Sequence, residues 1–341
     1  MTGFRIIRSL EEAGDFGPSA LTIGNFDGVH AGHRRILRRV AEMARERGWK
    51  ASVLTFDPHP TVLVAPDRAP DLLTTPLERA ALMRAEGIEQ VLILPFTPEV
   101  AALGPEEFAT RIVVDRLGAR AVLVGDNFRF GHRHAGDTRL LESLGRRYGF
   151  LVETVPAVRM RGRTVSSSEV RRLIRHGRVA VAARLLERPC FLEGGVVRGQ
   201  GIGSRQTVPT LNLEPGGGLM PASGVYITRT TDAESGRVWP SVTNIGHRPT
   251  FGGTGLTVET FLLEPLEGAT PGVIRVEFCK HLRDERKFES AEALKAQILR
   301  DVSRARKYFR LLPACGLKGR TGSQADVGVG RGTGVPPPKT G

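Results

Sequence analysis

The chain has 341 residues, 40% of them hydrophobic, with a formal net charge of +13 and a pI near 10.5. That length allows two packed domains and excludes a disordered polypeptide; no apolar run reaches the length of a membrane span, and the opening MTGFRIIRSLEEAGDFG lacks a signal-peptide core, so the cytoplasm is the expected location. The positive charge raises nucleic acid as a partner, but arginines such as Arg34, Arg35, Arg38, Arg39 and Arg45 alternate with glutamates, aromatics are few and no RNP or zinc-finger motif occurs, which argues against a dedicated nucleic-acid partner.

The first half alternates short apolar runs, ALTIGNF, ASVLTFD, QVLILPF, AVLVGD and FLVETV, with longer amphipathic segments, the pattern of βαβ units and a parallel sheet. Directly after ALTI comes GNFDGVHAGH, Gly24 to His33, a glycine-rich turn that runs into a helical pattern. In that helix Ile36, Leu37, Val40, Met43 and Ala44 fall on one face. Strand, turn and helix together put Gly24, Phe26, His30 and His33 where a nucleotide's phosphates sit, with the helix dipole aimed at them. The lysine of a G-x-x-x-x-G-K-[ST] loop is missing, which points to chemistry at the α-phosphorus rather than the γ-phosphorus. Two histidines three apart are too few to hold a catalytic metal alone, so phosphate contacts are the favoured reading.

Further along, VGDNFRFGHRHAGD sets Asn127, Phe128 and Phe130 in a strand-to-loop turn suited to a planar ring. SSSEVRRLI, from Ser166 to Ile174, places hydroxyls, Ser167 among them, at a helix N-terminus followed by Arg171. Hydroxyls, free N–H groups and a guanidinium make an anion cradle suited to β- and γ-phosphates, although the segment taken alone reads more readily as a plain serine N-cap with a solvated arginine.

After about Glu187 glycine and proline become frequent and short strand-like runs follow: CFLEGGVV, TVPTLNL, GVYITRT, WPSVTNI, TVETFLLE and VIRVEF. That texture predicts a small β-barrel or sandwich. Gly199, Gly201 and Gly203 let backbone N–H groups approach ATP phosphates. Thr210 and Asn212, two apart on a strand, face one side and offer hard oxygens suited to Mg²⁺ completed by ATP. Glu259, inside the apolar run VETFLL, is either solvent-facing or held to take a proton from an alcohol attacking the γ-phosphate. A closing helix starts at Ser290 as N-cap, with Glu292 in its first turn and Leu294, Ile298, Leu299, Val302, Ala305 and Phe309 on one stripe. From Leu312 the chain is rich in Gly and Pro and ends in VPPPKTG, a tail expected to be disordered. Cys190, Cys279 and Cys315 show no C-x-x-C spacing and suggest neither zinc nor redox work.

These elements, together with TFDPHP (Thr55 to Pro60), LLTTPLER (Leu72 to Arg79) and LPFTPEVAAL (Leu94 to Leu103), stand in the order found in the bacterial bifunctional riboflavin kinase/FAD synthetases, which the chain resembles from about Ala20 to Phe309. The resemblance implies an α/β plus β architecture. Residues 1–186 would form a Rossmann-like nucleotidylyltransferase domain with a parallel sheet, and 187–311 a small antiparallel β-barrel riboflavin kinase domain with a C-terminal helix, followed by the 312–341 tail. It implies that the barrel phosphorylates riboflavin with ATP and Mg²⁺, and that the first domain adenylylates FMN to FAD. It assigns His30, His33, Ser167 and Arg171 to the ATP phosphates, with Asn127 and its loop near the reacting groups. Thr210 and Asn212 would serve the kinase metal, and Glu259 would be the base. The implied partners are riboflavin, FMN and ATP, with no membrane and homo-oligomerisation open.

The chain also departs from the family pattern. Three serines stand where Ser-Ser-Thr is frequent, Leu211 replaces an alanine, Gln206-Thr207 replaces a leucine-glycine step, and EPLEGATPG (Glu264 to Gly272) replaces an Asp-Leu-Tyr-Gly stretch. Most of these fall in the kinase half. They keep open a rival reading, an adenylyltransferase whose barrel binds flavin without phosphorylating it.

Overall fold

A computed structural model describes residues 3–197, 210–250 and 253–311. Gly199, Gly201, Gly203, the Gln206-Thr207 step and the 312–341 tail lie outside the described residues.

The first half builds a six-stranded parallel sheet from β1 (Arg5–Ile7), β2 (Ser19–Ile23), β3 (Lys50–Asp57), β4 (Gln90–Pro95), β5 (Ala119–Gly125) and β6 (Leu151–Val155), in the order β1-β4-β3-β2-β5-β6. Five of the strands coincide with the apolar runs; β1, only three residues, carries no readable alternation. All five residues of β2 are buried, as expected of a central strand covered on both faces. The chain winds outward from β2 through β3 to β4, then returns to the other side of β2 as β5. A crevice therefore opens where the loops after β2 and β5 diverge, the place where doubly wound sheets bind ligands.

Helix α1 (Ala31–Arg47) starts three residues before the readable pattern because His30 caps it. Leu37, Val40, Met43 and Ala44 are buried as expected, while Ile36 is half-buried. It stops at Gly48, whose φ of 68° permits the left-handed cap that returns an N–H to the Ala44 carbonyl. The remaining connections carry α2 (Pro60–Val64), α3 (Pro76–Ala85), α4 (Pro98–Ala102), α5 (Pro105–Phe108), α6 (Thr138–Tyr148), a hairpin of β7 (Arg159–Met160) and β8 (Arg163–Thr164), α7 (Ser167–Arg175) and α8 (Val179–Leu186).

The second half is a barrel, not a sandwich. Strands β9 (Cys190–Val197), β10 (Thr210–Pro215), β11 (Gly224–Asp232), β12 (Val238–Thr250), β13 (Gly253–Leu262) and β14 (Val273–Arg283) close in the order β10-β13-β12-β11-β14-β9, all pairs antiparallel. Leu192, Leu211, Leu213, Tyr226, Ile245 and Phe278 fill the interior. Beside them a ladder of buried hydroxyls crosses three strands: Thr228 lies 2.8 Å from Ser241 and 2.7 Å from Thr243, and Thr243 lies 2.9 Å from Thr260. Each hydroxyl has a partner, so burying them carries little penalty.

Helix α9 (Ala291–Leu311) lies on the barrel's outer face, its Val302, Ala305 and Phe309 packed with Val225, Ile227 and Val242. Ser290 caps it, its Oγ accepting the Ala293 N–H at 3.1 Å. The expected stripe is narrower than the sequence indicated: Leu299 is 55% exposed and Leu294 41% exposed. Leu299 follows Ile298 and is turned about 100° from it, off the buried seam.

The two halves share a core. Val170, Leu173 and Ile174 of α7 and Val179, Ala182 and Leu186 of α8 belong to the same buried cluster as the barrel's Leu192, Leu211 and Phe278.

Candidate active sites

At the crevice, the 24–30 loop holds three residues of unusual backbone. Phe26, Gly28 and Val29 have φ of 49°, 78° and 39°. Only glycine takes positive φ without strain; a β-branched valine there costs about 1–3 kcal/mol and persists only if its surroundings hold it. The four carbonyls from residue 25 to residue 28 are all engaged. Asn25 O accepts from Arg79 Nη1 and from Thr55 Oγ1, Phe26 O from the Val29 N–H, Asp27 O from Ser167 Oγ at 2.9 Å, and Gly28 O from Arg188 Nη2 at 2.8 Å.

The Asp27 carboxylate is the loop's anchor, 1% exposed. It accepts the N–H groups of Leu73 and Thr74 at 3.0 and 3.1 Å and pairs with Arg171 Nη2 at 2.7 Å. Arg171 is itself buried and gives its Nε to the Asp71 carbonyl at 2.9 Å. Ser166 caps α7 by accepting the Glu169 N–H, which leaves Ser167 free to clasp Asp27 O. Of the sequence readings the serine cap holds, at Ser166, but Arg171 is buried rather than solvated, and the Ser167 hydroxyl and Arg171 guanidinium turn inward onto the 24–30 loop.

His30 and His33 stack, ring centroids 3.7 Å apart at 15°, and Phe26 meets His33 edge-on at 5.0 Å. His30 Nδ1 accepts the His33 N–H at 3.3 Å, so the neutral ring carries its proton on Nε2. Burial pulls the His30 imidazole down to about 4 despite nearby Asp27, with Arg188 and Arg171 adding to the depression. Burial, then His30 and Arg79, hold His33 well below the ordinary value. Both rings are therefore neutral at neutral pH and act as donors rather than as fixed cations. Gly24 spends its N–H on the Leu54 carbonyl at 3.0 Å, and its missing Cβ admits the Phe26 ring, which a methyl would approach to 3.2 Å.

Asn127 is exposed at the mouth of the crevice just past β5. Phe128 stacks on Phe130 at 5.5 Å, leaving one face outward, while Phe130 belongs to the core. His59 of the TFDPHP segment caps α2 and places Nε2 3.0 Å from the Asn25 side-chain amide, on the opposite wall of the loop.

On the barrel, the register lines up the second set. Asn212 of β10 sits opposite Glu259 of β13, and Glu259 sits opposite Asn244 of β12. Thr210 is opposite Phe261 on the same face, and Leu211 points to the core. This face forms a cavity of about 300 Å³ under α9. Val225, Val242, Phe261, Phe288 and Ile298 give it apolar walls; Asn244, Glu259, Glu285 and Arg286 give it a polar side. Phe288 lies between two guanidinium groups, 5.6 Å from Arg283 and 4.9 Å from Arg286. Arg283 is fixed by Asp301 at 2.9 Å. Among the described residues no group of three or more His, Cys, Asp or Glu is placed to hold a metal. The donors near Glu259 are instead a hydroxyl and an amide oxygen, a hard set that fits Mg²⁺ sharing oxygens with a nucleotide.

Sequence reasoning missed Asp27, Arg79 and Arg188 in the first site, and Asn244, Phe288 and Arg286 in the second. Asn244 was within reach: it lies two residues beyond Val242 on a strand and so shares its face.

A family model described as FAD synthetase matches residues 14–169, and one described as riboflavin kinase matches residues 186–309. A bifunctional riboflavin kinase/FMN adenylyltransferase of Pseudomonas fluorescens is 40% identical over 286 residues, 84% of this chain and 91% of that protein. Its counterpart in Escherichia coli (strain K12) is 36% identical over 307 residues, 90% of this chain and 97% of that one. A crystal structure described as a macrolide-efflux protein from Streptococcus pneumoniae superposes with a TM-score of 0.79 at 26% identity, over 90% of this chain and 99% of that chain. Among the described residues no helix is long and apolar enough to cross a membrane.

Proposed function

The chain belongs to the bifunctional riboflavin kinase/FMN adenylyltransferase family, phosphorylating riboflavin to FMN with ATP and adenylylating FMN to FAD with release of pyrophosphate, and we propose which of its residues carry each step. Residues 1–186 serve as the adenylyltransferase module and 187–311 as the kinase module.

In adenylylation, a phosphate oxygen of FMN attacks the α-phosphorus of ATP; the new P–O bond replaces the α–β bridge, and pyrophosphate leaves with the charge. No covalent help is needed, so the site works by position and by donors aimed at the phosphates. His30 offers Nε2–H, His33 is stacked beside it, and the N-terminus of α1 faces the same anion. Arg171 and Ser167 hold the loop through Asp27, and the guanidinium N–H groups not used on Asp27 and Asp71 serve the β- and γ-phosphates. Asn127 and the outer face of Phe128 receive the flavin end at the crevice mouth.

In phosphorylation, Glu259 takes the proton of the ribityl 5′-hydroxyl as that oxygen attacks the γ-phosphorus, and ADP leaves. Thr210 and Asn212 hold Mg²⁺, which when bound neutralises phosphate charge; the 199–203 glycines are proposed to cover the nucleotide. The cavity under α9 takes the isoalloxazine ring: its apolar walls suit the dimethylbenzene edge, and its polar side opens at Glu259.

The observation that carries these roles is the convergence of each motif set on its own site: stacked histidines on a clamped loop at the switch point, and Asn212, Glu259 and Asn244 in one row of the barrel. Purified protein given riboflavin, ATP and Mg²⁺ is expected to form FMN and then FAD. With His30→Ala, FMN accumulates and FAD does not form; equal loss of both products would reject separate ATP sites.

A further inference from the structure

Arg188 lies in the segment between α8 and β9, inside the span that matches the riboflavin kinase model, yet its guanidinium reaches back to the nucleotide loop of the other module. Nη2 donates to Gly28 O at 2.8 Å, and Nη1 donates to Val29 O at 3.5 Å and Leu186 O at 3.4 Å. Its Nε is buried and has no hydrogen-bond partner among the described residues. Burial pulls this guanidinium down to about 10, so it remains a cation at neutral pH. A charge taken out of water costs several kcal/mol unless it is compensated, and here the hydrogen bonds that compensate it, among the described residues, go to backbone carbonyls.

Two of those carbonyls, Gly28 O and Val29 O, belong to the two residues that precede His30, and both residues have positive φ. The grip is reciprocal: Arg34 of α1 donates to Leu186 O and Glu187 O at 3.4 and 3.3 Å. Neither Arg79 nor Arg171 touches Gly28 or Val29; they hold Asn25 and Asp27. Thr74 Oγ1 accepts the Gly28 N–H at 3.1 Å, but the Gly28 and Val29 carbonyls, the last two before the His30 imidazole, are held by a side chain from beyond the proposed module boundary.

We propose that Arg188 is a positioning residue for adenylyl transfer: from the kinase side of the chain it fixes the Gly28–Val29 backbone, and with it the His30 ring, against ATP. This rests on the role of His30 given above. The fork of one guanidinium spans both carbonyls, Nη2 on Gly28 O and Nη1 on Val29 O, and so holds the two positive-φ residues in the conformation seen here. A lysine supplies one point charge and cannot span both.

The test uses full-length R188M and R188K, with FAD formation from supplied FMN and FMN formation from riboflavin measured on the same preparations. For R188M, FAD formation is expected to fall about 10- to 100-fold, as for misplacement by about 1 Å, while FMN formation changes less than about twofold. R188K is expected to fall between R188M and the parent. FAD formation within about twofold of the parent in R188M overturns the proposal, as does an equal fall of both activities, which marks Arg188 as a stability residue only. If R188M does not fold, R188K decides by the same ratio, an unchanged ratio overturning the proposal. Failure of the His30 assignment is seen separately, as a His30→Ala enzyme that still makes FAD at the parental rate.

Discussion

His30 uses one ring for two tasks. Its Nδ1 satisfies the orphan N–H of His33 at the start of α1, and its Nε2 carries the proton that the proposed phosphate contact would use. The price is burial: an unfolded histidine titrates near 6.5, whereas this one is held at about 4. Between those values the unfolded chain binds a proton that the native chain refuses, so stability falls as pH drops from about 6.5 to 4, with a slope of up to about 1.4 kcal/mol per pH unit from this group. His30→Asn keeps a good N-cap without a titrating ring, and denaturant melts should show a shallower loss over that window. Identical slopes would contradict the assigned depression. Spacing made His30 and His33 visible in the sequence, and the hydroxyl-plus-arginine pattern did the same for Ser167 and Arg171. Asp27, Arg79 and Arg188 were not legible because their meaning lies in partners 144, 54 and 160 residues away along the chain.

Strand pairing does for the barrel what the cap does for the loop. The register of β10, β13 and β12 sets Asn212, Glu259 and Asn244 side by side, and the Thr243–Thr260 hydroxyl pair fixes the neighbouring rung from inside. A one-residue slip of any one of these strands would turn its member of the row inward. Glu259→Gln keeps shape and register but not basicity. FMN formation is then expected to drop about 10²- to 10⁴-fold, with FAD formation from supplied FMN unchanged. A variant that still phosphorylates riboflavin at near-parental rate would remove Glu259 as the base. Alternation showed that Thr210 and Asn212 share a face and that Leu211 opposes them. Short strands alone left barrel and sandwich both open, with the barrel implied by the resemblance; the closing pairs, β9 with both β10 and β14, were not legible, since they join segments across most of the domain. Nor was the exposure of Leu299, because helical periodicity gives a stripe and not its width.

At the scale of the molecule, the two modules are one buried body as much as two catalysts. Leu186 is 2% exposed within a cluster that runs from α7 and α8 into the barrel interior. Leu186→Ala should cost about 2–5 kcal/mol, and the thermal midpoints of FMN and FAD formation are expected to fall together. Retention of the parental midpoint by either activity would show that the core does not couple them. The two modules differ in one further respect. Among the described residues the barrel strands close on themselves and leave no terminal strand, whereas the parallel sheet ends at β1 and β6, whose Ile6 and Leu151 are 38% and 50% exposed. Templated growth by a neighbouring polypeptide thus has two docking rims, both on the adenylyl-transferring side, and clumping during refolding starts there rather than at the flavin-phosphorylating ring.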